Sequence, residues 1–464
     1  MGNPTQIIIN CDPGIDDVLS IIMALSHPEK VQVRAICISH GNTTVLHGRE
    51  NIVRLFSVLQ KHIEENPDEA QSEGLKKALK SDNKIILAKG ASHPLQGPTF
   101  NSSAYHGKDG LGDISTLPGD PWPLPDCLPE PLVETDKSAD EVMLDILRTN
   151  DSGTVQIVSL APLTNLALAW QKDPVTFLRV GGISAMLGNL DVPGNDTPSA
   201  EFNAFADPFA FRILLQDAPK FPALKELSKR LPFDMLPLDI TNQHKVPFAQ
   251  LCSDAVKEKN ILQKFIAAIL AHPRQRANAR APKDEPLDRE KYDNFTAHDP
   301  LAMAHAIFCP SPIERNEQIN EPIDESFSEW HIKTRTFGVE TDGYLTRGEC
   351  VVDHRQYSKG KPFTIPTGTY ANSASDRNER YHPEPSLRMS RRISRIVSWI
   401  KTDKEDQANP SSAGTKEVEA TFQETADLHV NDEQKRQFTG EWDIVISSPG
   451  VDWFRGMFLK SLTL

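Results

Sequence analysis

The chain has 464 residues, a formal net charge of -14 at pH 7 and an isoelectric point near 5.5. This length is enough for a large buried core in one or two domains. The acidic balance argues against a general nucleic-acid or membrane-surface binder, because either would normally carry a basic face. We therefore expect no nucleic-acid partner and no stable membrane association.

Two further patterns bear on the cellular compartment. No apolar run approaches the roughly 20 residues that a membrane span needs, and no signal-type segment opens the chain. The cysteines are scattered without a C-x-x-C pair, which favours buried thiols in a reducing compartment. They are Cys11, Cys37, Cys127, Cys252, Cys309 and Cys350. The sequence thus predicts a cytoplasmic protein.

The first predicted element is a short buried strand at residues 7–9, followed by an acidic turn. Asp12, Asp16 and Asp17 lie in this turn, just before a helical pattern of apolar residues. Ligands of open α/β sheets bind beyond the carboxyl ends of strands. Crowded carboxylates repel unless a metal ion or a shared proton relieves them, and oxygen ligands suit Ca²⁺. The turn therefore predicts a calcium site.

A strand followed by Asp-x-Asp is also typical of phosphotransferases in which the first Asp is the nucleophile. Here that first position is Asn10, and an amide cannot form an aspartyl-phosphate. A metal site built from the later carboxylates loses nothing by this change, so the metal interpretation is favoured.

Apolar segments of strand length alternate with helical patterns from residue 7 to about 310. The strand-like segments after the first lie at 33–38, 84–88, 155–160 and around 235–240. This alternation predicts an α/β fold, with a mostly parallel central sheet flanked by helices in a Rossmann-like open sheet.

The character of the chain changes towards its C-terminal end. We predict one domain over 1–370, a largely disordered insertion over 371–440 and a terminal strand and helix over 441–464 that complete the domain. Within the insertion, a basic amphipathic helix is expected near 386–401. It could dock onto its own domain or a sister subunit, or contact a membrane or partner.

Four further segments place polar side chains beside predicted elements. SHGN (39–42) follows the second strand, and the strand at 155–160 runs into APLTN (161–165). The segment 194–208 reads GNDTPSAEFNAFADP, and His298-Asp299-Pro300 precede an apolar helical stretch. With the acidic turn, these motifs resemble in kind and order the calcium-dependent inosine-uridine-preferring nucleoside hydrolases. The family signature D-x-D-P-G-x-D-D is met except at Asn10.

The resemblance covers residue 7 to about 355, resumes near 442, and implies the nucleoside hydrolase fold. It implies a set of calcium ligands: Asp12, Asp17, the Leu160 carbonyl and Asp299. It implies groups that hold the ribose 2'- and 3'-hydroxyls: Asp16, Asn42 and Asn203. Asn195 and Glu201 resemble the groups that hold the 5'-hydroxyl, while Phe202 and Met186 resemble residues lining the sugar pocket.

The implied reaction is hydrolysis of the N-glycosidic bond of a uridine- or inosine-class nucleoside to ribose and free base. Such a bond breaks through a cationic ribosyl transition state, which carboxylates stabilise. Asp12 resembles the base that takes a proton from water, and His298 the acid that serves the departing base. His106 resembles a base-pocket histidine. The resemblance also implies a homodimer or homotetramer.

Ordinary explanations exist for the single residues. Asp16 or Asp17 could cap the following helix, and Asp299 could cap the helix that begins near it.

Asn10 removes a charge that supports the metal ligands in the family, so we expect weaker calcium binding with retained catalysis. The alternatives are a catalytically weak calcium- or ribose-binding regulator, or a hydrolase of another ribosyl substrate such as nicotinamide riboside.

Overall fold

The computed structural model of the protein describes residues 3–67, 72–218, 231–254, 260–309, 330–352 and 440–462. The strands in these ranges are β1 (Thr5–Cys11), β2 (Val31–Ile38), β3 (Ile85–Lys89), β4 (Leu132–Glu134), β5 (Val155–Ser159), β6 (Gly182–Met186), β7 (Phe233–Leu236), β8 (Lys245–Pro247), β9 (Asn294–Thr296), β10 (His331–Val339), β11 (Cys350–Val352) and β12 (Gly440–Ser447).

The helices in the same ranges lie between these strands or flank them. They are α1 (Ile15–Ser26), α2 (Val45–Glu65), α3 (Glu73–Ala78), α4 (Ser103–His106), α5 (Ala139–Thr149), α6 (Thr164–Lys172), α7 (Pro174–Phe177), α8 (Phe202–Ala206), α9 (Pro208–Arg212), α10 (Leu238–Thr241), α11 (Phe248–Cys252), α12 (Ile261–Asn278), α13 (Arg289–Tyr292), α14 (His298–Phe308) and α15 (Val451–Ser461). A 3₁₀ turn at Ile114–Thr116 and a π-helical turn at Ile213–Asp217 complete the set.

One large sheet holds most of the strands. Its order is β11-β10-β12-β7-β6-β5-β1-β2-β3-β4, and every neighbouring pair from β12 to β4 is parallel. Strand β10 pairs antiparallel with both β12 and β11, and β8 and β9 form a separate antiparallel pair. This arrangement confirms the predicted α/β fold with a mostly parallel central sheet.

Strand β1 is apolar throughout its inner part because both faces of the sheet are covered. Ile7 and Ile9 pack in one hydrophobic core with α1, whereas Ile8 packs on the opposite face in a second core with α5 and α6. Successive side chains of a strand point to opposite faces, so an unbroken apolar run fits this central position.

The central strands end at one edge of the sheet. Strands β1, β2, β5 and β6 run parallel, and their last residues are Cys11, Ile38, Ser159 and Met186. The chain segments that follow these residues therefore meet at the same edge, where the predicted site residues lie.

The prediction of a strand around 235–240 is partly wrong. Strand β7 ends at Leu236, and the chain then turns at Pro237 into the short helix α10. Proline lacks the N–H that a central strand donates and fixes a φ suited to a helix start. The continued apolar pattern reflects burial of α10 rather than strand structure.

The C-terminal segment joins the large sheet. Strand β12 lies between β7 and β10, and α15 packs Phe454 and Phe458 against the main core. The Ser26 hydroxyl on α1 donates to the Ser461 carbonyl at 2.7 Å. The domain boundaries stay a prediction, and the basic helix expected near 386–401 lies outside the described residues.

Two findings bear on the predicted compartment. No helix in the described ranges is both long and apolar enough to cross a membrane. All six cysteines lie in those ranges, none of them forms a disulfide, and each is buried except Cys127.

Candidate active site

Four aspartates gather at the carboxyl edge of β1. Asp12, Asp16 and Asp17 follow the strand directly, and Asp299 comes from the first turn of α14. Carboxylate oxygens of Asp16, Asp17 and Asp299 lie within 4.8 Å of one another, and all four side chains are buried. Asp12 lies beside this group, where its backbone N–H donates to Asp17 Oδ1 at 3.2 Å.

The negative charge of this cluster is not balanced by a cationic side chain in the described residues. Among the residues that the structure describes, the ionisable base that comes within 4 Å is His106, whose Nδ1 lies 3.9 Å from Asp16 Oδ1. Burial, reinforced by the neighbouring carboxylates, raises the pKa of Asp16 to about 8 and those of Asp12 and Asp299 well above their usual range. Asp16 Oδ1 is also buried without a hydrogen-bond partner. Hard oxygen donors of this kind fit a divalent cation.

Residues 39–42 support the cluster from the end of β2. The Asn42 backbone N–H donates to Asp12 Oδ2 at 2.6 Å, and its Nδ2 donates to Asp17 Oδ2 at 3.0 Å. A Cβ at Gly41 would lie 1.8 Å from Asp12 Oδ2, so only glycine permits this approach of backbone to carboxylate. Because Nδ2 faces the carboxylates, Asn42 has its Oδ1 left to accept a hydrogen bond from a ligand.

The ordinary capping interpretation holds for one aspartate and fails for another. Asp17 Oδ2 accepts the Gly14 N–H at 2.9 Å in a capping box at the start of α1, so Asp17 caps the helix and also lies in the carboxylate cluster. The cap of α14 is Ala297, not Asp299. The carboxylate of Asp299 is therefore available to the cluster.

Asn203 lies between the ends of β5 and β6. Its Nδ2 donates to the Leu160 carbonyl at 2.9 Å and to the Met186 carbonyl at 3.1 Å. The Leu160 carbonyl, the predicted metal ligand, thus keeps one lone pair for another partner. As at Asn42, the amide nitrogen is used and the amide oxygen remains as an acceptor.

Glu201 is both a helix cap and a buried acid. Its two carboxylate oxygens accept backbone N–H groups from Gly188, Asn203 and Ala204 at 2.7 to 2.9 Å. Burial still raises its pKa to about 7. Asn195 Oδ1 accepts the Phe202 N–H at 3.0 Å, which leaves the Asn195 amide nitrogen as a donor. The predicted sugar-binding residues of 194–203 are thus held together.

The two predicted base-side histidines differ in their surroundings. His106 Nδ1 accepts the Ile15 N–H at 3.1 Å, so the proton of its neutral ring lies on Nε2. Burial lowers the pKa of His106 to about 3 and that of His298 to about 4, so both rings are neutral at pH 7. His298 Nδ1 lies 2.8 Å from Thr241 Oγ1.

Asn10, where the chain departs from the signature, lies in a buried amide network. Its Nδ2 donates to Ser159 Oγ at 3.0 Å, and its Oδ1 accepts from Asn165 Nδ2 at 2.9 Å. Asn165 also donates to the Ile38 carbonyl at 3.1 Å. These bonds join the ends of β1, β2 and β5 below the site. That Asn10 weakens calcium binding stays a prediction.

Sequence analysis overlooked Tyr105 and Gly41. The Tyr105 ring packs edge-on against His106 with centroids 4.9 Å apart, and burial together with the Asp16 charge raises the pKa of its hydroxyl. Its position directly before His106 was the available signal. The close contact at Gly41 had no signal beyond its place before Asn42.

Comparisons with known proteins identify the family of this chain. A family model described as inosine-uridine preferring nucleoside hydrolase matches residues 7–374. The pyrimidine-specific ribonucleoside hydrolase RihA of Enterobacter sp. (strain 638) is 28% identical over 368 residues, which are 77% of this chain and 91% of that protein.

Two solved structures share the fold. A plant nucleoside hydrolase, the PpNRh1 enzyme, matches with a TM-score of 0.59 at 20% identity, over 99% of both chains. A purine-preferring ribonucleoside hydrolase from Gardnerella vaginalis matches with a TM-score of 0.57 at 19% identity, over 99% of this chain and 98% of the other. At these identities the likeness bears on the fold alone.

Proposed function

The chain belongs to the inosine-uridine preferring nucleoside hydrolase family, and on that ground we propose that it hydrolyses uridine or inosine at a bound calcium ion. The ribonucleoside hydrolase activity follows from the family. The observation that carries the calcium proposal is the buried group of carboxylates from Asp16, Asp17 and Asp299, which has no cationic partner among the described side chains. Asp12 lies beside this group, and the Leu160 carbonyl, directly after the neighbouring strand β5, accepts a hydrogen bond from Asn203.

The metal-binding proposal assigns four ligands from this chain: Asp12, Asp17, the Leu160 carbonyl and Asp299. When bound, calcium supplies a fixed point for the ribose diol and lowers the pKa of a coordinated water. Asp12 accepts the proton of the attacking water, and Asn42 holds both of its carboxylate oxygens in place at 2.6 and 3.3 Å. Burial of these carboxylates also favours the cationic sugar of the transition state.

The sugar-binding proposal rests on oriented amides. The side-chain amide nitrogens of Asn42 and Asn203 donate hydrogen bonds to protein oxygens, so each side chain has only its amide oxygen left for a ligand. A ribose hydroxyl that donates to such an oxygen fits, and Asp16 Oδ1 is a third acceptor without a partner. Asn195 and Glu201 take the 5'-hydroxyl. Phe202 and Met186 form the apolar wall of the sugar pocket.

His298 and His106 serve the base side. A departing base gathers negative charge and needs a proton or a hydrogen bond. His106 is fixed as an Nε2–H donor by Ile15, and His298 is a neutral imidazole bonded to Thr241. We assign His298 to the leaving base and His106 to binding of the base.

Removal of His298 should slow the reaction without preventing calcium binding. We expect His298→Ala to lower kcat for uridine or inosine by about 10²- to 10⁴-fold, because a positioned side chain that gives a proton or a hydrogen bond to the leaving base is typically worth up to that much. A riboside whose leaving group needs no protonation, such as 4-nitrophenyl β-D-ribofuranoside, should lose far less. Equal losses on both kinds of substrate would contradict the leaving-group role, and calorimetric calcium titration checks the metal site.

The decisive test of the proposal is ribose release from a substrate panel. Purified protein is incubated with uridine, inosine, cytidine, adenosine or nicotinamide riboside, with calcium or with a chelator. We expect release from at least uridine or inosine that the chelator abolishes and added calcium restores. If calcium binds and no member releases ribose, the regulator or another ribosyl substrate becomes the better interpretation.

The proposal also covers the oligomeric state and the cellular location of the protein. We propose a homodimer or homotetramer, by resemblance to the family, which sedimentation analysis would measure. We propose a cytoplasmic location, which the lack of a disulfide among the six cysteines supports, because disulfides are rare in reducing compartments.

A further inference from the structure

Three segments that carry candidate site residues meet behind the site at Asn51 of helix α2. They are the acidic turn at 12–17, the loop at 41–44 and the loop at 106–116 that begins with His106. Asn51 is a buried polar residue on a helix whose neighbouring positions pack into the core. It has no place among the residues that the family resemblance assigns.

The amide nitrogen of Asn51 joins two of these segments directly. It donates to the Pro13 carbonyl at 2.9 Å and to the Asp109 carbonyl at 2.7 Å, so both of its hydrogens are used. Packing fixes this nitrogen closely. A Cβ at Gly110 would lie 2.9 Å from it and 2.9 Å from Thr43 Cγ2. Thr43, in the loop at 41–44, therefore lies next to Gly110 and the Asn51 amide.

Hydrogen bonds within the loop after His106 hold it together, so a displacement of one end also displaces the other. The Asp109 carboxylate accepts the backbone N–H groups of Leu111, Asp113 and Ser115 at 2.8 to 2.9 Å. The bond from the Ile15 N–H to His106 Nδ1 is a second direct link between this loop and the acidic turn. Asn51 and Ile15 thus tie the loop to the turn at two points.

We propose that Asn51 is a positioning residue that holds His106 in register with the carboxylate cluster, and that it acts on turnover through His106. The inference rests on the proposed function. A carbonyl-to-carbonyl bridge of this kind can be made only by a side chain with two N–H donors at this length. Without it, the two carbonyls lose their shared donor and the loop can move relative to the turn.

The test compares Asn51→Ala with a matched control on the same helix, Asn66→Ala. Asn66 caps the end of α2 and donates to the His62 carbonyl at 2.9 Å, far along the helix from the site. We expect Asn51→Ala to lower kcat by about 10- to 100-fold, since a displacement near 1 Å can cost this much. Calcium affinity should stay within about threefold of the wild type, and Asn66→Ala should leave kcat unchanged.

A double-mutant cycle separates positioning from general loosening. If Asn51 acts through His106, adding Asn51→Ala to the His106→Ala variant should lower kcat little further than His106→Ala does by itself. The inference would be overturned if Asn51→Ala lowered kcat by the same factor in the wild type and in His106→Ala. It would also be overturned by a fall in calcium affinity that matches the fall in kcat. Should Asn51→Ala fail to fold, Asn51→Ser keeps one donor and should show an intermediate loss of kcat.

A readout independent of turnover distinguishes failure of this inference from failure of the proposed function. In protein labelled with ¹⁵N-histidine, the Nδ1 signal of His106 reports the bond from Ile15. It is assigned by its absence in His106→Ala. We expect Asn51→Ala to shift or broaden this signal and Asn66→Ala to leave it in place. An unchanged signal in Asn51→Ala overturns the inference, whether or not the wild type releases ribose.

Discussion

Asp12→Asn is expected to lower kcat for ribose release by about 10⁴-fold, at the upper end of what general acid–base groups contribute. The Asp12 carboxylate accepts both donors of Asn42, at 2.6 and 3.3 Å. An asparagine keeps one oxygen for the backbone N–H but turns an amide nitrogen towards the Asn42 nitrogen or the site. It can neither accept a proton from water nor supply a charge to the calcium ion.

The measurement is steady-state ribose release at saturating uridine or inosine, with excess calcium so that weaker metal binding is compensated. The control is Asp145→Asn, which makes the same chemical change in an ion pair with Lys137 and Arg148 at the protein surface. Surface pairs contribute about 0–1 kcal/mol, so this variant should keep its kcat. If Asp12→Asn keeps more than about a tenth of wild-type kcat, Asp12 is not the base.

The sequence was sufficient for the fold class and for placing the candidate site residues at one edge of the sheet. Buried strands such as β1 and β5 are apolar on both faces, so their runs stand out from the polar segments around them. Because parallel strands end at one edge, residues that follow β1, β2 and β5 could be brought together without any structure. Asp12 and Asn42 were placed at the sheet edge in this way, whereas the Leu160 carbonyl was named only through the family resemblance.

Sheet order and junctions were not predictable from local patterns. Strand β12 starts at Gly440, yet it lies between β7 and β10, because hydrogen bonding between strands depends on distant partners. The apolar run through Pro237 did not distinguish a strand from a short buried helix. Asn51 looks like any polar residue on a helix, since its role depends on carbonyls at Pro13 and Asp109 that are remote in sequence.

The choice of metal ligands also depends on structure. The resemblance assigns Asp12 to the metal and Asp16 to ribose, whereas the group of carboxylate oxygens that lie within 4.8 Å of one another comes from Asp16, Asp17 and Asp299. Asp12 lies next to this group and faces Asn42. Asp17 and Asp299 belong both to the proposed ligand set and to this group, so they are the two candidate ligands common to both.

Asp299→Asn is expected to change stability with opposite signs in the absence and presence of calcium. In metal-free protein the buried carboxylates repel; two such charges about 4 Å apart repel by about 4 kcal/mol at an effective dielectric constant of 20. Asp299→Asn removes this cost, whether the folded protein bears it as repulsion or as a retained proton, and should raise the free energy of unfolding by about 1–4 kcal/mol near pH 8. In excess calcium the variant should lose the stabilisation that binding gives the wild type, about 2.7 kcal/mol at 100 times the Kd.

The pH dependence of the metal-free protein has a definite sign. Asp16 releases its proton near pH 4 when unfolded but has a pKa of about 8 in the folded protein. Between these values the folded state binds more protons, so stability should fall as the pH rises from about 4 to 8. Calcium should remove this slope, because it binds the ionised carboxylates.

The matched control for Asp299→Asn is Asp293→Asn, which changes another buried carboxylate of the same chain region. Asp293 forms a two-pronged ion pair with Arg274 at 2.8 and 2.7 Å, and this pair lowers its pKa. Its replacement should destabilise the protein with or without calcium, since it leaves Arg274 without its partner. Thermal unfolding with chelator and with calcium measures both variants. Destabilisation of the metal-free protein by Asp299→Asn would mean that Asp299 supports the fold rather than a cation, because only an unbalanced cluster gains from losing a charge.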